Sequence, residues 1–136
     1  MPASVKHPGR TILIVDDDPD VRVALEGALQ AAGVSVVSAS HGLDALRALR
    51  TRASAVDLIL LDLMMPVMNG WQFRREQQQD PDLSAIPVLV LSAGNHVAEA
   101  AASIGATGYL RKPVDLDELW SAVERACGGV RRAGGT

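Results

Sequence analysis

The sequence predicts an α/β domain in which a five-stranded parallel sheet is covered by helices on both faces. Short apolar runs alternate along the chain with segments whose apolar residues recur at helical spacing. This alternation is typical of a parallel sheet with helical crossovers. The run 58–61 is apolar throughout, as expected for a strand that is buried on both faces.

The predicted elements follow one another in regular order. Strands are expected at residues 11–15, 34–39, 58–61, 88–91 and 107–111. Helices are expected to begin near Pro19, Ser40, Asn69, Asn95 and Asp115, with Asp18 and Ser40 as candidate N-caps. Right-handed crossovers among five strands favour the order 2-1-3-4-5, the flavodoxin-like, doubly wound (βα)5 arrangement.

Composition limits the kind of protein. A chain of 136 residues suffices for one domain with a real core, and 48% hydrophobic residues argue against disorder. A net charge of −3 without a basic block argues against nucleic-acid binding. No apolar run has the length of a membrane span, and residues 1–10 lack the apolar core of a signal peptide. The single Cys127 fits a reducing compartment, so we expect a cytoplasmic protein.

Polar side chains stand where the predicted strands end. Asp16 and Asp17 follow the first strand, and Asp62 follows the third. Ser92 and Lys112 follow the fourth and the fifth. Because parallel strands end at one edge of the sheet, these groups are expected to converge there. Carboxylates held close together repel one another, and a hard divalent cation such as Mg²⁺ would relieve the repulsion.

Taken together, these residues resemble the receiver domain of two-component response regulators, over residues 11–127. The resemblance is carried by Asp16-Asp17, Asp62 with Met65-Pro66 and Gly70, Ser92-Ala93, and Tyr109 with Lys112-Pro113. Residues 1–10 and 128–136 are expected to be flexible tails on either side of this domain.

The resemblance implies a role for each site residue. Asp62 would be the phosphoacceptor, and Asp17 and Asp62 would bind Mg²⁺ directly. The backbone carbonyl of Met64 would be a third protein ligand, and Asp16 would act mainly through water. Lys112 would neutralise charge on the phosphoryl oxygens.

The resemblance also implies a switch. The Ser92 hydroxyl would donate to a phosphoryl oxygen and move inward, and the Tyr109 side chain would follow it. The face formed by the fourth helix, fifth strand and fifth helix would then change shape. The resemblance further suggests a cis bond between Lys112 and Pro113, and X-Pro bonds are the only ones that are commonly cis.

Two features depart from the family pattern. Lys112 follows Ser92 at a shorter separation than the family leads us to expect, which predicts a shortened or displaced fourth helix and an unusual output face. Met64 and Gly94, two positions after Asp62 and Ser92, carry no acidic or amide group that could orient water. Slow self-dephosphorylation is therefore predicted.

Other prominent residues have simpler interpretations. Asp18 is a helix cap, and Asp57, at the far end of its strand, is structural. His7, His41 and His96 lack ligand spacing and are interpreted as surface residues. The loop methionines Met64, Met65 and Met68 and the tryptophans Trp71 and Trp120 are interpreted as packing residues, the tryptophans between helix and sheet.

The favoured function is that of a stand-alone response regulator. It would take a phosphoryl group from a histidine kinase or a histidine phosphotransfer protein, then switch a protein-interaction face or relay the group onward. Such a protein catalyses only its own phosphorylation and dephosphorylation, so we do not expect an enzyme. No pattern follows Cys127, although a receiver cut from a larger protein fits equally well. A monomer or a weak homodimer is expected.

Two alternatives remain open. An aspartate-nucleophile phosphatase of the haloacid dehalogenase type would use Asp16 as its nucleophile, with Asp18 completing an Asp-x-Asp motif. Asp20 replaces the Thr or Val that this motif usually carries. The second alternative is a receiver-like binding module that is never phosphorylated.

Overall fold

The computed structural model describes residues 9–52 and 55–127, without the side chain of Arg52. Apart from Gly9 and Arg10, the two predicted tails lie outside these residues. Within them, the strands are β1 (Thr11–Val15), β2 (Ser35–Ala39), β3 (Leu58–Asp62), β4 (Val88–Ser92) and β5 (Gly108–Arg111). The helices are α1 (Pro19–Ala31), α2 (Gly42–Arg52), α3 (Gly70–Gln79), α4 (Val97–Ser103) and α5 (Leu116–Ala126).

The sheet has the predicted topology. Its strand order is β2-β1-β3-β4-β5, and all neighbouring strands are parallel. In register, Val15 lies beside Leu61, and Asp62 lies beside Leu91. The carboxyl ends of β1, β3 and β4 are therefore level, which places the side chains that follow them at one edge. The doubly wound, flavodoxin-like prediction is confirmed.

A buried core lies on each face of the sheet. Because side chains alternate along a strand, Ile59 and Leu61 face one core while Leu58 and Leu60 face the other. Helices α2, α3 and α4 cover the first core, and α1 and α5 cover the second. Every residue of β3 is buried, and burial of each of its apolar side chains, at 58–61, contributes about 1.5–3 kcal/mol. No helix among the described residues has the length and apolarity needed to cross a membrane.

The helix starts confirm one of the two predicted caps and correct the other. The Asp18 carboxylate accepts from the backbone N–H of Asp20, with Pro19 next in the chain. At α2 the predicted cap Ser40 is wrong, because His41 Nδ1 lies 3.3 Å from the backbone N of Asp44 and accepts from it. His41 is therefore a half-buried capping residue and not a simple surface residue.

Helix α4 is short, as predicted. It has seven residues, fewer than any other described helix, and it begins at Val97 instead of Asn95. At the opposite edge of the sheet from the carboxyl ends, Asp57 accepts from the backbone N–H of Thr11 at 2.8 Å, which confirms its structural role.

Candidate functional site

Three carboxylates meet at the carboxyl edge of the sheet, as the sequence predicted. Asp16 follows β1 and is fully buried, whereas Asp62 ends β3 and is 5% exposed. Asp17 is exposed. One carboxylate oxygen from each of the three lies within 4.8 Å of the others. Mg²⁺ prefers such hard oxygen ligands and usually takes one or two carboxylates, so this donor set fits the ion.

Lys112 enters the same site from the loop after β5. Its Nζ lies 2.7 Å from Asp16 Oδ2 and 3.6 Å from Asp62 Oδ2. Burial by itself would lower the pKa of Lys112, but the hydrogen bond to Asp16 and the neighbouring negative charges outweigh it and raise that pKa. The amine is therefore charged at neutral pH. The Lys112–Pro113 bond is cis, as expected.

The two oxygens of Asp16 are already engaged. Oδ1 accepts from the backbone N–H of Asp18 at 2.9 Å, and Oδ2 pairs with Lys112. The backbone carbonyl of Asp16 accepts from Arg22 at 2.7 Å. These contacts leave Asp17 and Asp62 as the more available cation ligands, and the indirect role of Asp16 stays a prediction.

Burial and a neighbouring charge perturb the pKa of the Asp62 carboxyl group. Its pKa is raised from 3.8 to about 6, first by burial and then by the negative charge of Asp16. The Lys112 charge and the backbone N–H of Met64, which lies 3.3 Å from Asp62 Oδ1, act in the opposite direction. Without a cation, negative charge exceeds positive charge at this site. The role of the Met64 carbonyl as a ligand stays a prediction.

Ser92 and Tyr109, the two predicted switch residues, line different grooves. Ser92 ends β4 and lines one open groove with Asp17, Asp62 and Lys112. Its hydroxyl accepts from the backbone N–H of Gly94 at 3.1 Å. Tyr109, on β5, is exposed and lines a separate groove toward α5. The structure therefore joins Ser92 to the acidic site and leaves Tyr109 outside it.

The rim of the groove contains an aromatic residue whose interpretation as a packing residue was wrong. Trp71 is 38% exposed and lines the groove together with Met64, which is 72% exposed. Phe73, two residues later, fills the core. Residues two apart point roughly 200° away from each other around a helix, so Phe73 turns Trp71 outward. The two-residue spacing was the signal available in the sequence, since it showed that Trp71 and Phe73 face different ways without showing which of them is buried. Trp120 packs against the second core, as expected.

The loop from β3 to α3 is held in a tight conformation. A Cβ at Gly70 would lie 2.7 Å from Leu63 Cα and 2.8 Å from the Asp62 carbonyl oxygen, so only glycine fits. The Gly70 N–H donates to the Leu63 carbonyl at 2.9 Å. Val67 has a φ of 67°, which is strained for a β-branched side chain. The backbone after Asp62 is thereby fixed.

The doubly wound sheet and the acidic site with its lysine together define the class of protein: a receiver domain. The family described as response regulator receiver domain matches residues 12–124, and the chain belongs to this family. The protein PilH of Pseudomonas aeruginosa is 33% identical over 120 residues, which cover 87% of this chain and 98% of PilH.

Longer relatives share the same region. The transcriptional regulatory protein GlrR of Escherichia coli (strain K12) is 37% identical over 125 residues, which cover 90% of this chain but only 27% of GlrR. Among solved structures, a putative response regulator from Chloroflexus aurantiacus has a TM-score of 0.81 at 31% identity, covering 90% of this chain and 99% of that one. The chemotaxis protein CheY4 of Vibrio cholerae has a TM-score of 0.77 at 29% identity, covering 86% of this chain and 98% of CheY4.

Proposed function

We propose that this receiver domain accepts a phosphoryl group on Asp62 from a phosphohistidine of a histidine kinase or phosphotransfer protein. One observation carries the proposal: Asp62 opens into the groove beside a charged Lys112, with the oxygens of two further carboxylates within 4.8 Å. A nucleophile, a cation ligand set and a fixed positive charge thus share one site. We place this reaction in the cytoplasm.

The transfer is a displacement at phosphorus. An oxygen of the ionised Asp62 forms the new P–O bond while the P–N bond of the phosphohistidine breaks. The electron pair of that bond returns to the imidazole nitrogen, and a proton on the other ring nitrogen lets the imidazole leave neutral. Lys112 stabilises the charge on the phosphoryl oxygens.

Mg²⁺ would be held by Asp17 and Asp62, with the carbonyl of Met64 as a further ligand. When bound, the ion neutralises the oxygens of the transferring group. Asp16 contributes by orienting Lys112, since its Oδ2 lies 2.7 Å from the amine.

The phosphorylated domain would signal through its surface. The Ser92 hydroxyl would turn from the Gly94 N–H to donate to a phosphoryl oxygen, and Tyr109 would leave its exposed position. The changed face would bind a downstream protein, or Asp62 would pass the group on in a relay. Retention of phosphorylation-dependent partner binding by Ser92→Ala would contradict this role for the hydroxyl. We propose that the domain works as a monomer or a weak homodimer.

The contacts of Asp16 favour this assignment over the phosphatase alternative. Asp16 is fully buried and engaged at both oxygens, and it does not line the groove, whereas Asp62 does. A nucleophile has to reach its substrate, so Asp62 is the better acceptor.

The test is intact mass after incubation with acetyl phosphate, with and without Mg²⁺. We expect the native protein to gain one phosphoryl group only with Mg²⁺ and Asp62→Asn to gain none. Asp82→Asn, at an exposed loop carboxyl group, is the matched control and should behave as the native protein does. Phosphate release that survives Asp62→Asn but is lost in Asp16→Asn would support the phosphatase. Absence of any adduct would support the unphosphorylated binding module.

A further inference from the structure

Helix α3 buries a positive charge outside the acceptor site. Arg74 is 8% exposed, and no carboxylate in the described part of the chain pairs with it. Its Nε donates to the Ile104 carbonyl at 2.8 Å, and its Nη2 donates to the Gly105 carbonyl at 2.9 Å. Burial of an unpaired guanidinium is costly, so these hydrogen bonds are needed to hold it.

The network extends from Arg74 to the start of β4. Arg74 Nη1 donates to Gln77 Oε1 at 2.7 Å. The Gln77 amide, which is fully buried, donates to the carbonyls of Leu83 and Ile86, both at 2.9 Å. Ile86 lies just before β4. Three parts of the fold are thus joined: α3, the entry to β4, and the C-terminal end of α4.

The C-terminal end of α4 is also closed by its own backbone. Gly105 has a φ of 66°, and its N–H donates to the Ala102 carbonyl. The Ala106 N–H donates to the Ala101 carbonyl at 2.9 Å, which completes a Schellman motif. Arg74 binds the carbonyls of Ile104 and Gly105, just past the last residue of α4, where the helix dipole favours a cation. This end of α4 is therefore fixed from two directions.

The N-terminal end of α4 is anchored to the core by the buried Val97 side chain but has no such polar support from the described residues. His96 occupies the N-cap without a side-chain capping hydrogen bond. Residues 93–96 are exposed. The ion pair between His96 and Glu99 is exposed as well, and such surface pairs contribute little. This weakly held end begins directly after Ser92.

We infer that Arg74 is a positioning residue that fixes the C-terminal end of α4, so that the backbone movement of the loop and helix after Ser92 is confined to residues 93–100. The inference rests on the proposed function, because phosphorylation of Asp62 is what would draw Ser92 inward. The first turn of α4 pivots about Ile104 and Gly105, which stay bound to Arg74. A partner that distinguishes the two states would then contact the loop 93–96, the first turn of α4 and the Tyr109 side chain, not the whole of the α4–β5–α5 face.

The test is hydrogen–deuterium exchange of the whole chain in Mg²⁺, with and without beryllofluoride as the phosphoryl mimic. In the native protein we expect beryllofluoride to change exchange at residues 93–100 and to leave residues 101–106 unchanged. In Arg74→Met the change should spread to residues 101–106, because the two carbonyls lose their donor. Arg74→Lys, which can bind one carbonyl, should be intermediate. Arg75→Met, at the exposed neighbouring arginine, is the matched control and should match the native protein.

Two results would overturn the inference. One is an equal change at 93–97 and 101–106 in the native protein, a comparison that does not depend on any variant folding. The other is an unchanged pattern in Arg74→Met. A general loss of stability in Arg74→Met would not by itself change where along α4 the effect of beryllofluoride on exchange stops. The position of that limit therefore separates a positioning role of Arg74 from a merely structural one. If beryllofluoride changed no hydrogen exchange at residues 62–68, the proposed function itself would be contradicted. The inference about α4, which rests on that function, would then fail too.

Discussion

Replacing Asp62 by Asn is expected to stabilise the metal-free protein at neutral pH. The pKa of Asp62 is about 6 in the folded protein, against an ordinary 3.8, because the carboxyl group is buried beside Asp16. A difference of roughly two pKa units, at about 1.4 kcal/mol each, amounts to about 3 kcal/mol. Loss of the contact between Asp62 and Lys112 reduces this stabilisation, so we expect the free energy of unfolding to rise by about 1–3 kcal/mol.

The sign of the pH dependence follows from the raised pKa. Between about pH 4 and pH 6 the folded state holds a proton on Asp62 that the unfolded chain has released. The native protein therefore loses stability as pH rises through this window, and Asp62→Asn does not share that loss. Below about pH 4 the carboxyl group is neutral in both states, and the advantage of the variant should be small.

Urea unfolding in EDTA measures the effect. The free energy of unfolding of Asp62→Asn minus that of the native protein should rise from about pH 4 to about pH 7.5, as the Asp62 carboxylate ionises. Asp82→Asn, at an exposed carboxyl group, should show no such rise. Mg²⁺ at neutral pH should stabilise the native protein and have much less effect on Asp62→Asn. A difference that does not vary with pH would refute the reasoning.

Three further changes test the loop after β3. Val67→Gly should raise the free energy of unfolding by about 1 kcal/mol, because it removes the strain at φ 67°. Val67→Ala keeps the Cβ and should raise it by less. Equal effects of the two changes would contradict the strain. Gly70→Ala should lower the free energy of unfolding in urea by at least about 2 kcal/mol, because its Cβ would meet Leu63 Cα at 2.7 Å. The same change should slow phosphorylation by acetyl phosphate. Native-like stability and phosphorylation would show that the loop can adjust. Met64→Asn should shorten the lifetime of the phosphoryl adduct at least several-fold by orienting water, as followed by intact mass after acetyl phosphate is removed; an unchanged lifetime would contradict slow self-dephosphorylation in the native protein.

The order of elements was predictable because it depends on local patterns. Apolar runs such as 58–61 and the turn residues between them specify strands and loops one segment at a time. The structure moves strand ends by no more than one residue. The convergence of Asp16, Asp62 and Lys112 was predictable as well, since parallel strands in a known order end at one edge. The sequence by itself therefore determined the fold and the chemical groups of the site.

Only the tertiary structure decided how those groups and their surroundings are held. The pKa of Asp62 depends on burial and on the distance to Asp16, which lies far away along the chain. The partners of Arg74 are carbonyls some thirty residues further along, and nothing in the local sequence marks them. The outward position of Trp71 follows from the packing of Phe73. Each of these features depends on contacts between distant segments, and such contacts exist only once the segments have packed together.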